Sequence, residues 1–382
     1  MERKIFILIV IGIVLMSTCK GMKTEDRNIN VIEIDLDKSK KISFTEWFDS
    51  IQIVPLETND QSLIGNIDKA IFNDDLIYIF DWKLKSVLIF DNNGKFIKNT
   101  SHLRGQGPNE YIHIEQFDID DLTGNLLILN PPSILLIYDA DLELTNKYDM
   151  SNNLWPVMGF KFISNDIILF QNSNRDDDEL INVFSIKENK VIKKICPIVN
   201  GGDAKRMVVT KHNFFYKSNN QLCFIAKFSH NQVFVFDSLK IDFTPKIEFK
   251  VKQNQFHTAN LLKNQDDSHY RNIRHSDNYS FIIDINETER CYFSSILYRK
   301  NLYFNKYDKE TGKNQVVKSQ FLEGGTLNLP LAIDNNIFYY ITEASYISFF
   351  LQDFFLEDKY RKIIENISED DNPYIIKYFI KK

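Results

Sequence analysis

Leu76–Phe80 reads LIYIF and, after the charged stretch Asp81–Ser86, Val87–Phe90 reads VLIF; the turn Asp91–Gly94 (DNNG) then leads into a third short run. The same grammar returns along the chain. Leu126–Leu129 (LLIL) precedes Ile134–Tyr138 (ILLIY), Ile167–Phe170 (IILF) precedes Ile181–Ile186, and Leu222–Ala226 precedes Val233–Phe236 (VFVF). Looser copies are Tyr292–Leu297 with Leu302–Tyr307, and Phe338–Ile341 with Tyr374–Ile380. Strand pairs recurring about every 40 to 70 residues mark a radial β architecture built from small antiparallel sheets. The expected fold is all-β: a six-bladed β-propeller of four-stranded antiparallel blades.

Composition agrees with that reading. Of 382 residues, 43% are hydrophobic, and 31 Phe with 17 Tyr supply a large core rich in strand formers. A net charge of −6, with no basic stretch interleaved with aromatics, argues against general affinity for nucleic acid.

In the first blade, Ile67–Phe72 gives the innermost strand, Leu76–Phe80 and Val87–Phe90 the next two, and Lys95–Asn99 the outermost. The last repeat lacks an outer strand after Tyr374–Ile380, so ring closure is expected to borrow Ile51–Leu56 (IQIVPL) from the N-terminal end. Between the two runs of the last repeat, Leu356, Tyr360, Ile363, Ile364 and Ile367 recur at helical spacing. An amphipathic helix over Asp353–Ile367, a short helical insertion near the C-terminus, is therefore expected to pack on the ring.

The N-terminus reads as a processing signal. Arg3 and Lys4 precede the apolar Ile5–Leu15, which is shorter than the ~20 residues a spanning helix needs. It ends at Cys19, and this resembles a bacterial lipoprotein signal in which that cysteine carries the lipid. The expected organisation is a signal over 1–19, a polar tether and first strand over 20–45, and the propeller over 46–382. Cys196, Cys223 and Cys291 then remain, an odd number without metal-binding spacing, and read as free buried thiols.

Arg104–Tyr111 reads RGQGPNEY. With the Cys19 signal, IQIVPLET at Ile51–Thr58, IFD at Ile89–Asp91 and the Asp371-Asn372-Pro373 turn, it resembles bacterial six-bladed β-propeller lipoproteins with NHL-like blades. The resemblance implies an envelope propeller of undefined ligand and no known catalytic activity. In the loop itself, Gly105 and Gly107 allow φ values that other residues resist, and Pro108 fixes the chain direction.

In a propeller, the loops joining second to third strands and those joining one blade to the next open on one face. Here they carry Trp82, Lys83 and Lys85, Lys227 and His230, and Arg299 beside Lys300. The blade-to-blade connections add Arg104, Glu110, Tyr111, Trp155, His269, Arg271, Arg274 and His275. Arginine offers paired donors for carboxylates or phosphates, and tryptophan a flat platform for sugars. The rim is therefore expected to bind a glycan or an anionic extracellular ligand, or an envelope protein. The bland alternative is a solvated polar rim. A second alternative is a metal-dependent lyase or hydrolase in the axial funnel, with distant residues such as His113, His212 and His275 converging there. No standard zinc, calcium, nucleotide or hydrolase motif is present, so no cofactor or metal is expected. The domain is expected to be monomeric, touching a membrane only through the lipid anchor.

Overall fold

The computed structural model describes residues 29–381, except 74, 133, 151–156, 173–178, 198–213, 219, 226–230, 257–276, 324, 335 and 352–357. Cys19 lies outside them. The chain enters with β1 (Asn30–Ile34), passes two single turns of 3-10 helix at Leu36–Lys38 and Phe44–Glu46, and reaches β2 (Phe48–Pro55). Blade one is β3 (Lys69–Phe72), β4 (Leu76–Asp81), β5 (Ser86–Asp91) and β6 (Phe96–Asn99). Blade two is β7 (Gln116–Ile119), β8 (Leu126–Asn130), β9 (Ile134–Tyr138) and β10 (Leu144–Asp149). Blade three is β11 (Val157–Phe162), β12 (Ile167–Asn172), β13 (Glu179–Ser185) and β14 (Lys190–Pro197). Blade four is β15 (Phe215–Ser218), β16 (Gln221–Ile225), β17 (Gln232–Asp237) and β18 (Asp242–Val251). Blade five is β19 (Ser280–Glu287), β20 (Cys291–Tyr298), β21 (Asn301–Asp308) and β22 (Asn314–Lys318). Blade six holds β23 (Ala332–Asp334), β24 (Ile337–Thr342) and, after α1 (Ala344–Leu351) and α2 (Asp358–Glu365), β25 (Tyr374–Ile380).

The described residues form six sheets, and the sixth is completed by β2 beside β25. The register runs from Phe48 opposite Ile380 to Pro55 opposite Tyr374. The expected closure is what the structure shows.

The unbroken apolar runs have a simple cause. Successive strand residues point to opposite faces, and in a blade both faces are buried against neighbours. Tyr78 and Phe80 of β4 pack toward blade two, whereas Ile77 and Ile79 pack toward blade six. Leu126 and Ile128 of β8 join the first of those clusters, and Leu127 and Leu129 face blade three. Each interface between neighbouring blades thus has its own wedge of core. In blades one, two, four and five the hairpin between third and fourth strands turns on an aspartate that folds back on its own backbone. Asp91 Oδ1 accepts from the amides of Asn93 and Lys95 at 2.8 and 2.9 Å, and Asp139 Oδ1 accepts from those of Asp141 and Glu143, each at 2.9 Å. Asp237 and Asp308 do likewise.

The N-terminal segment does more than lead in. Its β1 adds a fifth strand to blade four, outside β18. The chain then crosses the outer edge of blade five, where the Lys40 amide donates to Val316 O at 3.3 Å and the Lys318 amide to Lys40 O at 3.1 Å. Ile32, Ile34, Leu36, Ile42 and Phe44 are buried along the way. Burying a side chain of this size stabilises by about 1.5–3 kcal/mol, so the segment from Ile32 onward is a structural part of the ring.

The helical insertion is also larger than the sequence pattern indicated. A helix already begins at Ala344, where the sequence is apolar all round and shows no helical stripe. Ala344, Ile347 and Tyr360 join Phe338 and Tyr340 in the core between blades five and six, and Ile367 packs against it. Cys196, Cys223 and Cys291 are free and buried. Among the described residues no helix is long and apolar enough to cross a membrane.

Candidate functional site

Every innermost strand carries charge in an otherwise strand-forming sequence: Lys69, Asp118, Lys161, Lys217, Asp284 with Glu287, and Asp334, from blades one to six in order. All of these but Lys69 line a cavity of about 860 Å³ on the ring axis, together with Tyr216. A smaller cavity of about 310 Å³ opens at the opposite ends of β3, β7 and β11, lined by Lys69, Trp82, His113, Glu115, Met158 and Phe160. Asp118, Lys161 and Phe215 line both and form the waist between them.

The waist is a charge network. Lys161 Nζ lies 3.0 Å from Asp118 Oδ2 and 3.1 Å from Asp121 Oδ1, and Lys217 Nζ lies 3.0 Å from Asp121 Oδ2. Burial pulls the Lys161 ammonium down, but Asp118 and Asp121 outweigh it and hold it above the ordinary lysine value. Lys69 is treated differently. Its amine donates to Phe117 O at 2.5 Å and sits 5.0 Å from the centre of the Phe117 ring. Burial pushes it down to about 8, with Asp118 opposing and Lys161 adding to the fall. At the smaller cavity, burial pushes the Glu115 carboxyl up to about 7, and burial followed by the Lys85 charge lowers the His113 imidazole. Perturbed groups converging on one concavity are the usual mark of a binding or active site.

Trp82 is half-exposed and held at the mouth of that cavity by its backbone. The Trp82 amide donates to Asp68 Oδ2 at 3.0 Å. The buried Asp81 beside it accepts from Gly65 and Asn66 on one oxygen, at 2.6 and 2.8 Å, and from Lys83 and Leu84 on the other, at 2.9 and 3.0 Å. One carboxylate thereby pins the connector entering blade one to the loop between β4 and β5.

The structure brings several of the sequence-derived candidates to this face. Lys83 is exposed and Lys85 half-buried on the Trp82 loop. Arg104 is exposed and donates from Nη1 to Leu84 O at 3.3 Å. Glu110 is turned into its own loop, where it accepts from the Gly107 amide at 2.7 Å. Tyr111 is fully buried, its hydroxyl 3.0 Å from Lys85 O, 2.9 Å from Thr100 O and 2.7 Å from Thr100 Oγ1. It fastens the connector and does not line a funnel. The loop glycines are also there for a different reason from the one expected. Neither Gly105 nor Gly107 has positive φ, but a Cβ on Gly105 would stand 1.9 Å from Glu110 Oε2. Space beside the Glu110 carboxylate, not a left-handed backbone, favours glycine at Gly105. Arg299, with φ 49°, stacks 5.0 Å from the Tyr298 ring centre.

Trp155, Lys227, His230, His269, Arg271, Arg274 and His275 lie outside the described residues, as does His212. Among the described residues no group of three or more His, Cys, Asp or Glu is placed to hold a metal. The sequence reading missed Lys69, Glu115, Asp118, Lys161 and Lys217. For the four besides Glu115 a signal was available: a lone charge inside the innermost strands of blades one to four, as in KAIF, QFDI, GFKF and FYKS.

A family match spans residues 27–379, nearly the whole ring. The chain belongs to the family described as a domain of unknown function, DUF4934. A Bacteroides fragilis crystal structure named "Putative exported protein" aligns with this DUF4934 propeller at a TM-score of 0.71 and 16% identity, covering 92% of this chain and 100% of that one. At that identity the likeness speaks for the fold. A DUF4221-family member from Bacteroides vulgatus aligns at a TM-score of 0.48 and 10% identity, over 87% of this chain and 97% of its own. No curated protein matches the sequence.

Proposed function

We propose that this DUF4934 propeller is an exported, lipid-anchored binding module of the cell envelope, and that its smaller axial cavity takes a short saccharide unit. One observation carries the ligand class: a half-exposed tryptophan face meets the Lys69 amine, His113 and Glu115 around a space of about 310 Å³. An aromatic plane covers the apolar face of a sugar ring, while groups able to donate and accept reach its hydroxyls. Titratable groups close to neutrality suit this, because each can act as donor or acceptor. Support for export comes from the signal-like N-terminus ending at Cys19 and from the name borne by the B. fragilis protein.

The test is a saccharide array on the chain from Lys20 onward, followed by titration calorimetry. Saccharide binding is expected, weakened about tenfold or more by Trp82→Ala, the scale of a lost aromatic contact. An array without binders, or unchanged affinity in Trp82→Ala, overturns the ligand assignment. Palmitate labelling of the full chain, lost in Cys19→Ala, tests the anchor; an unlabelled wild type removes it.

A further inference from the structure

Beside that cavity lies a surface of which the saccharide reading uses only Trp82. Leu63, Trp82, Leu84 and Ile112 are exposed at 49, 50, 42 and 59%. Leu63 belongs to the connector entering blade one, Trp82 and Leu84 to the loop after β4, and Ile112 to the connector leaving blade one. These connections are tied together at their backbones. Asp81 joins the first two, and Tyr111 reaches Lys85 O from the third. The Ile112 amide is itself fixed, donating to Asn130 Oδ1 at 3.0 Å. The large apolar side chains are therefore held out by a rigid frame, where folding inward would have buried them. Single exposed apolar residues are ordinary, but a fixed group on adjoining loops marks an interaction surface.

The charges on the same loops choose the partner. Lys83, Lys85 and Arg104 are cationic, and Arg104 reaches Leu84 O, which places its guanidinium beside the exposed leucine. Glu110, the acid within the RGQGPNEY loop, is turned inward onto the Gly107 amide. The Trp82 and RGQGPNEY loops thus offer apolar anchors flanked by positive charge, with the exposed acids Glu57 and Asp60 confined to the Leu63 connector, on a protein whose net charge is −6. We infer that this blade-one shoulder docks an acidic, apolar-bearing segment of another envelope protein. Charge complementarity steers such a segment to the shoulder, and the fixed apolar side chains give it anchors without an ordering cost on this side.

The experiment is selection from a random peptide display library on the chain from Lys20 onward. Enriched peptides are expected to combine Asp or Glu with Leu, Phe or Trp. A synthetic representative should lose about tenfold in affinity with Leu84→Asp or Ile112→Asp and several-fold with Arg104→Glu, and should bind more weakly as salt rises. All three residues are exposed, so circular dichroism of the variants should match the wild type. Glu115→Gln should leave peptide affinity unchanged, which separates this surface from the saccharide cavity. No enrichment, a basic consensus, full binding by the Leu84→Asp/Ile112→Asp double variant, or tighter binding to phosphatidylglycerol vesicles than to the peptide would each overturn the inference.

Discussion

Asn372 and Thr58 stand 314 positions apart in the chain, yet the Asn372 amide donates to Thr58 Oγ1 at 2.9 Å. The Asn372 side chain completes the joint: Oδ1 accepts from the Ile64 amide at 2.9 Å, and Nδ2 donates to Glu57 O and Ser62 O at 2.7 and 2.8 Å. This buried side chain therefore serves the backbone of the segment that follows β2, at the seam where the ring closes. Its replacement by alanine strands the Ile64 amide and the Ser62 carbonyl, each at about 1–3 kcal/mol, while Glu57 O keeps the Ser62 hydroxyl at 2.6 Å. Asn372→Ala is expected to cost about 3 kcal/mol or more in urea unfolding. A loss within ~0.5 kcal/mol, the scatter of ordinary surface changes, would show that the seam does not depend on it.

Glu287 is the second buried joint. Its carboxylate is fully buried and lies 2.7 Å from Lys246 Nζ and 2.5 Å from Lys309 Nζ, and it accepts from the Tyr216 hydroxyl at 3.0 Å. Burial raises this carboxyl, but the two lysines outweigh it and hold it below its ordinary value of 4.5. A carboxylate lowered in the folded state stabilises above the unfolded value and loses that contribution as pH falls through the folded one. Glu287→Ala leaves two ammonium groups facing each other and should cost about 3–5 kcal/mol at neutral pH. Glu287→Gln should flatten the acid limb of stability against pH. An unchanged acid limb in that variant would mean other carboxylates control acid unfolding.

Much of the ring could be read from its residues, for a physical reason. Runs such as LIYIF and ILLIY are apolar on both faces because each blade is covered on both sides, so the repeat is loud. The Asp of IFD is equally legible, since an aspartate closing a hairpin acts within its own turn. Long-range partners are not encoded locally. VIEIDL shows only that β1 is a strand; that it pairs with β18 depends on a joint more than two hundred positions away, such as Leu36 N to Gln253 Oε1. The axial charges escaped for a related reason. One lysine in KAIF looks like ordinary variation until the topology sets it beside Asp118 and Lys161.

The axial site predicts an unusual pH profile. Glu115, raised to about 7 by burial, keeps its proton in the fold where the unfolded chain has released it, so stability falls as pH rises from 4.5 toward 7. Lys69, lowered to about 8 by burial, is neutral in the fold where the unfolded chain stays charged, so stability recovers from about 8 toward 10.5. Melting temperature against pH should therefore pass through a shallow trough between the two. The Glu115 limb amounts to about 1–2 kcal/mol once partial solvent access is allowed for. Glu115→Gln should remove that limb and leave the alkaline recovery. Identical profiles for variant and wild type would show that Glu115 titrates as an ordinary glutamate.

Gly94 and Gly105 allow a comparison of two reasons for glycine. Gly94 has φ +83°, and a Cβ there would lie 2.1 Å from Pro55 O, a backbone atom of the strand that closes the ring. Its own carbonyl accepts from the Glu57 amide at 2.8 Å, so the hairpin of blade one cannot move off without opening that bond. Gly105 would meet only the carboxylate end of Glu110, which can swing away at the loss of its bond to the Gly107 amide. Gly94→Ala combines a left-handed backbone penalty with a backbone clash and should cost about 3 kcal/mol or more. Gly105→Ala should cost about 1 kcal/mol, the worth of one hydrogen bond, and almost nothing when Glu110 is already alanine. Chemical denaturation of the two single variants and of Gly105→Ala/Glu110→Ala measures both terms. Equal losses at the two glycines would mean that the contact between Pro55 and Gly94 yields as easily as a side chain does.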